Sequence, residues 1–261
     1  MLEGVNLMER LQVSVINSPI DVITESEALQ RIALWSSSHE SRAVYLCNVH
    51  SVVTARHDVT FAKVLSEADI ALPDGAPVAW MQRIKGANTQ MRISGPDLMW
   101  SYCAVAARRG ESIYLLGSTP STLEALQHRL LAAFPDLIIS GSFSPPFRPL
   151  SEEEDADIIG AINSSGAGTV WVSLGCPKQE RWIHAHRGRI NAVMLGVGAA
   201  FDFHAGTCKH APEWMRDNGL EWLYRLIQEP RRLWKRYFVT NTLFILYALP
   251  EALLVCCKRI R

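Results

Sequence analysis

TVWVSLGCPKQERW, Thr169–Trp182, reads as a strand that turns directly into a helix. Thr169–Leu174 is a β-rich run that is apolar on both faces, as a parallel strand covered on each side should be. Gly175 stops the run, and Pro177 supplies the fixed φ suited to the first turn of a helix. Lys178-Gln179-Glu180-Arg181-Trp182 then continues as helix. A strand buried on both faces that turns straight into a helix is the repeating unit of a parallel α/β sheet.

The same unit recurs on both sides of it in the chain. Ala43–Asn48, Ile70–Leu72, Ser112–Leu116, Leu137–Ser140 and Ala192–Gly196 read as further strands. Between them lie helix starts with identifiable chemistry. Thr24 and Glu27 offer a capping box ahead of ALQRIALW. Pro96-Asp97 opens a helix that Gly110 closes, and Pro120 opens another. Ser151-Glu152-Glu153-Glu154 begins a third, with acidic residues where the helix dipole favours them. The expected fold is therefore α/β, a Rossmann-like parallel sheet with helices on both faces. Ligands of such sheets bind beyond the carboxyl ends of the strands, which directs attention to Asn48, Asp74, Gly117, Gly175 and the loop from Gly196 to Gly206.

After about Pro212 the character changes to Trp- and Arg-rich sequence without strand pattern. We divide the chain into a core, residues 1–211, and a helical basic and apolar appendage, residues 212–261. From Arg225 onward there are eight Lys or Arg against Glu229 and Glu251. The apolar stretch Leu243–Leu249 is far shorter than the ~20 residues that span a bilayer, and Pro250-Glu251 should interrupt it. A helix lying on a membrane surface is expected, with a helix pair packed on the core as the alternative.

The totals exclude several classes. An apolar fraction of 48% and a charged fraction of 20% are those of a globular protein. A formal charge of zero argues against nucleic-acid binding by the whole molecule. Six cysteines without a CxxC pair fit a reducing compartment, and the N-terminal MLEGVNLMERLQ lacks the apolar core of a signal peptide. There is no GxGxxG after the first strand, no Walker A loop, no GxSxG and no HExxH. Asp155-Ala156-Asp157 matches a metal-holding D-x-D only superficially, because it sits in an acidic helix start.

Four segments remain that could carry chemistry. Pro73-Asp74-Gly75 places a carboxylate at a strand end, where a general base belongs, although the same tripeptide is a common turn. Around Pro177, Lys178 and Gln179 gather at a helix N-terminus suited to anions. In the loop from Gly196 to Gly206, small residues including Gly198 permit close backbone approach, and Asp202 between two phenylalanines could accept from a base or ribose. Asp202 acting only as a helix cap is the alternative. The run Arg225, Arg231, Arg232, Lys235, Arg236 could grip a diphosphate or anionic lipid headgroups, or be solvated surface. His204 and His210 lack companions at ligand spacing, so no metal site is assigned.

Taken in order, N-V-H-S (48–51), A-D-I-A-L-P-D-G (68–75), R-I-S-G-P-D-L-M (92–99), Y-L-L-G (114–117), G-C-P-K-Q-E-R-W (175–182), G-V-G-A-A-F-D-F-H-A-G (196–206), A-P-E-W (211–214) and G-L-E-W-L-Y-R-L-I-Q-E-P-R-R-L-W-K-R (219–236) resemble the bacterial WecG/TagA/CpsF glycosyltransferases, glycosyltransferase family 26. The resemblance covers about residues 15–240. It implies inverting, metal-independent transfer from a UDP-sugar to a polyprenyl-diphosphate-linked saccharide, in teichoic acid linker, enterobacterial common antigen or exopolysaccharide synthesis, with no cofactor beyond the donor. By the same resemblance Asp74 corresponds to the catalytic base and Asn48 to the active-site strand end. Gly117, Lys178, Gln179, Gly198 and Asp202 fall on the substrate side, and Arg225, Arg232 and Lys235 on the appendage that closes over the diphosphate. It also implies a peripheral enzyme at the cytoplasmic face of the cell membrane, with a homo-oligomer as one state open to it. Two departures stand out: Leu46-Cys47-Asn48 where members often have Thr-x-Asn, and Ser144-Pro145-Pro146-Phe147 where they often have Gly-Tyr-Phe. They suggest a donor sugar other than N-acetylmannosamine, such as glucose in xanthan- or acetan-type synthesis. The competing readings are a nucleotide-sugar epimerase or dehydrogenase, which lacks its fingerprint here, and a non-catalytic membrane scaffold of a polysaccharide assembly complex.

Overall fold

The structure, a computed structural model, describes residues 10–259. The N-terminal segment read above for a signal peptide lies largely outside those residues, as do Ile260 and Arg261 of the basic tail. A hairpin comes first, β1 Gln12–Val15 and β2 Ser18–Asp21, turned by Ile16 and Asn17, both at positive φ. Two consecutive left-handed residues make the turn whose twist matches paired strands, and Asn is suited to it.

Six further strands form one parallel sheet: β3 Arg42–Cys47, β4 Ile70–Pro73, β5 Ser112–Gly117, β6 Ile138–Phe143, β7 Thr169–Ser173 and β8 Val193–Gly196. Their order across the sheet is β4-β3-β8-β7-β5-β6. All six strands read from the sequence are present. Alternate side chains enter two separate cores, which explains why the strands look apolar throughout. Tyr45, Leu116, Val172 and Met194 face one side, against α2 (Val49–His57), α3 (Val59–Ser66), α7 (Glu152–Ser164) and α8 (Lys178–His186). Leu46, Leu115, Trp171 and Leu195 face the other, against α1 (Glu25–Ser37), α5 (Gly95–Arg109), α6 (Pro120–Ala133) and α9 (Ala200–Ala205). Fully burying each such side chain is worth about 1.5–3 kcal/mol.

The expected caps are in place. Thr24 with Glu27 and Ser151 with Glu154 both form complete capping boxes, and Gly110 ends α5 in the left-handed conformation. Between β5 and β7 the chain changes direction across the sheet, since β5 leads outward to β6 while β7 leads back to β8. That is a topological switch point.

The chain then forms α4 (Ala76–Ile84) near the start of the fold, and α10 (Glu213–Asp217), α11 (Glu221–Gln228) and α12 (Pro230–Arg259) at its end. α12 packs on α2 and α4 through Thr240, Phe244 and Ala248, on one helical face. Phe238, Val239, Leu246, Leu249 and Leu253 line the opposite face, exposed. The packed helix pair and the apolar surface are thus both realised, on two sides of one helix.

One expectation is corrected. Pro250 lies inside α12 and does not end it. Proline removes one backbone hydrogen bond, but the next residue anchors the following turn: Glu251 pairs with Lys85 and accepts from the Ile16 N–H at 3.3 Å. Because the helix runs on, Pro230–Val255 is long and apolar enough to cross a bilayer by length and composition alone. Its inner face is nevertheless seated on the core.

Candidate active site

Asn48 and Asp74 stand at the carboxyl ends of neighbouring strands, and local structure fixes both. Asn48 caps α2, its Oδ1 accepting from the Ser51 N–H at 3.2 Å. With that oxygen engaged, its amide nitrogen faces across and donates to Asp74 Oδ2 at 3.3 Å. The Asp74 N–H donates to the Cys47 carbonyl at 3.0 Å, and Gly75, at φ +84°, turns the chain into α4. The turn reading and the strand-end reading of Pro73-Asp74-Gly75 therefore both describe it. Burial pushes the Asp74 carboxyl up to about 6, with the Glu221 carboxylate adding to the rise while Asn48, Arg92 and Arg225 oppose it.

Both residues lie in a cleft of about 450 Å³ between the core and α10–α12. Arg216, Arg225 and Arg236 line its appendage side, Arg92 its core side. The Nε atoms of Arg216, Arg225 and Arg236 are buried without a hydrogen-bond partner. Arg216 also meets Asp97 at 3.6 Å and Arg225 meets Glu229 at 3.9 Å, but buried donors are ordinarily satisfied, so three unpaired Nε atoms around one cleft suit an anion. His50 also lines it, held neutral by burial and by Arg236, which bring its pKa down to about 4.

Of the basic residues carried forward from the sequence, only Arg225 enters this cleft. The Arg232 side chain is 63% exposed and pairs with Glu229, next to Asp202. Lys235 is exposed and lies over the Trp234 ring. Arg236 belongs to the same sequence run but was not singled out within it, and Arg92 and Arg216 were missed. Arg92 opens the quoted R-I-S-G-P-D-L-M stretch, which was a signal available in the sequence. Arg216 sits on a five-residue helix with no periodicity to read.

The remaining residues gather at the other strand ends. Gln179 is 4% exposed and works as a clamp. Its Oε1 accepts from the Gly175 N–H at 3.2 Å and the Gly198 N–H at 3.1 Å, tying the loop after β7 to the loop after β8. Its Nε2 donates to Glu180 at 2.9 Å. Burial pushes the Glu180 carboxyl up to about 7, and its second oxygen has no partner. The Gln179 N–H itself donates to the Gly175 carbonyl at 2.9 Å, so this helix start is partly committed internally. Gly117 ends β5 at φ +117°, where a Cβ would stand 2.3 Å from the Ser173 carbonyl oxygen. Its lack of a side chain is what lets β5 and β7 close together at the switch point.

Asp202 lies inside α9 as a half-buried residue, so it is not that helix's cap. Burial raises its carboxyl pKa against the opposing fields of Arg225 and Arg232. Arg225, over the Phe203 ring at 5.4 Å, connects this loop with the cleft. Lys178 is exposed at a second cavity of about 290 Å³ beneath the Pro145–Leu150 segment. Asp155 meets His186 Nε2 at 2.9 Å and Arg189 at 3.4 Å, while Asp157 is exposed, which bears out the helix-start reading of the D-x-D. Leu46 points into the core rather than the cleft, with Leu72 and Ile93 in the same cluster. Ser144 donates to the Ser118 carbonyl at 2.7 Å, beside the switch point.

A strand-end carboxyl beside an amide, across a cleft from three arginines with unpaired Nε atoms, is an arrangement suited to group transfer with an anionic leaving group or acceptor. Comparison with known proteins agrees. N-acetylglucosaminyldiphosphoundecaprenol N-acetyl-beta-D-mannosaminyltransferase of Bacillus subtilis (strain 168) is 33% identical over 191 residues, 72% of each chain. Residues 13–255 match the sequence profile described as the Glycosyl transferase WecG/TagA/CpsF family. The chain belongs to that family and is a glycosyltransferase.

Proposed function

We propose that the cleft transfers a hexose from a UDP-sugar to a saccharide carried on a polyprenyl diphosphate, with inversion and without a metal ion. The observation that carries this reading is the pairing of one elevated carboxyl, Asp74, with three arginines whose buried Nε atoms lack partners. In the proposed step, ionised Asp74 takes the proton from an acceptor hydroxyl. The hydroxyl oxygen bonds to the anomeric carbon as that carbon's bond to UDP breaks, and UDP leaves with the electron pair. Asn48 holds the carboxylate in place. Arg225, with Arg216 and Arg236, takes up the negative charge of the diphosphate groups. Gln179, Gly198, Gly117, Asp202 and Lys178 frame the donor side, Gln179 by holding loops and not by contact. Arg232 and Lys235, outside the cleft, face anionic headgroups at the inner surface of the cell membrane, together with the exposed stripe of α12. The relative transfers N-acetylmannosamine; the Ser144–Phe147 segment beside the switch point keeps glucose as a second candidate donor.

The test is release of UDP from UDP-N-acetylmannosamine and UDP-glucose, with and without prenyl-diphosphate-linked N-acetylglucosamine, in EDTA. Acceptor-dependent release that survives EDTA is expected. Membrane binding with no UDP affinity and no transfer would instead make the protein a scaffold.

A further inference from the structure

We infer that the far half of the cleft is a slot for the first isoprene units of the acceptor's lipid, so that the carrier is gripped by its tail as well as its diphosphate; this rests on the acceptor proposed above. The two helices that wall the cleft carry the same gradient of polarity. α4 starts beside Asp74, and its lining residues Pro77, Trp80, Met81 and Ile84 share one face at helical spacing. They lead away from the carboxylate for ~10 Å, at about 1.5 Å per residue. On α12 the lining runs from Arg236 and Tyr237 through Thr240 and Asn241 to Phe244 and Ile245. It passes from cation to neutral polar to apolar.

The helices run in the same sense, because Lys85 at the end of α4 pairs with Glu251 beyond that stretch of α12. Their apolar ends therefore coincide, and a cationic floor leads into an apolar slot. A nucleotide-sugar has nothing apolar to place there, whereas a prenyl diphosphate has that order of groups. Trp80 and Ile245 are exposed lining side chains, which puts them at the rim.

The experiment compares two acceptors in detergent-free buffer, methyl-diphospho-N-acetylglucosamine and geranyl-diphospho-N-acetylglucosamine, at concentrations where neither aggregates. The wild type should favour the geranyl acceptor in kcat/KM by about tenfold or more, through KM, the effect of burying a couple of methylene groups. Trp80→Ser combined with Ile245→Ser, both at exposed positions whose loss leaves the core intact, should remove most of that preference. Equal use of both acceptors by the wild type, or a preference unchanged in the variant, overturns the slot. Transfer to neither acceptor overturns the proposed acceptor itself, and the slot with it.

Discussion

The two halves of the site differ in how complete they are. At the ends of β7 and β8 most polar groups satisfy one another: Gln179 takes two backbone N–H groups and gives a side-chain amide N–H to Glu180, leaving one Glu180 oxygen unpaired. Across the cleft, Arg216, Arg225 and Arg236 each keep a buried nitrogen unpaired. Donors and acceptors closed on one another hold loops in register, whereas unpaired cationic donors are ready for charge from outside. The contrast divides residues proposed to shape the site from residues proposed to touch substrate. It predicts that damage to the first group changes stability and KM together, while damage to the second changes catalysis with the fold intact.

The largest effect should come from Asp74. Asp74→Asn removes the proposed base and should cost about 10²–10⁴-fold in kcat. Its folded pKa is raised to about 6, so its contribution to stability is greatest below the usual carboxylate range and is lost as pH rises through 6. The uncharged variant should therefore melt no lower than wild type at pH 8, which calorimetry checks. Next come Arg225→Ala and Arg236→Ala, each expected to lower kcat/KM by about 10–150-fold, the worth of a hydrogen bond to a charged group. A melting loss of the same rank would move these residues into the structural class.

Gln179→Ala should do the reverse. It strands two backbone N–H groups, at about 1–3 kcal/mol each, so the melting temperature falls and the donor KM rises about tenfold as the loops drift. A stable variant with normal KM would break the contrast. The smallest effects are expected outside the cleft. Arg232→Ala and Lys235→Ala should change transfer to a water-soluble acceptor by no more than about threefold, while weakening partition into anionic liposomes.

Much of the frame was legible because burial on both faces and helix caps are local signals. Thr24, Ser151 and Gly110 announce helix ends within four residues of sequence. Asp74 and Asn48 were legible too, since the strand-end rule needs only strand positions. α4 went unassigned because Pro77 and the small residues around it read as turn, and the β1–β2 hairpin because Ile16-Asn17 is an unusual turn pair. Pro250 was misread since its cost is local while its remedy, the contact of Glu251 with Lys85, joins residues 166 apart in sequence. The choice among the arginines failed for a similar reason. Spacing places Arg232 and Arg236 on one helix, but only packing against α2 and α4 tells which of them faces inward.

The measurement that bears most directly on the account is kcat/KM for transfer from pH 5 to 9, in wild type and in Glu180→Gln. The second protein removes the buried carboxyl that burial pushes up to about 7. With ionised Asp74 as the base, activity should fall about tenfold per pH unit below about 6 in both proteins. A profile that stays flat through pH 6, or a limb that vanishes with Glu180, would contradict Asp74 as the group that takes the proton.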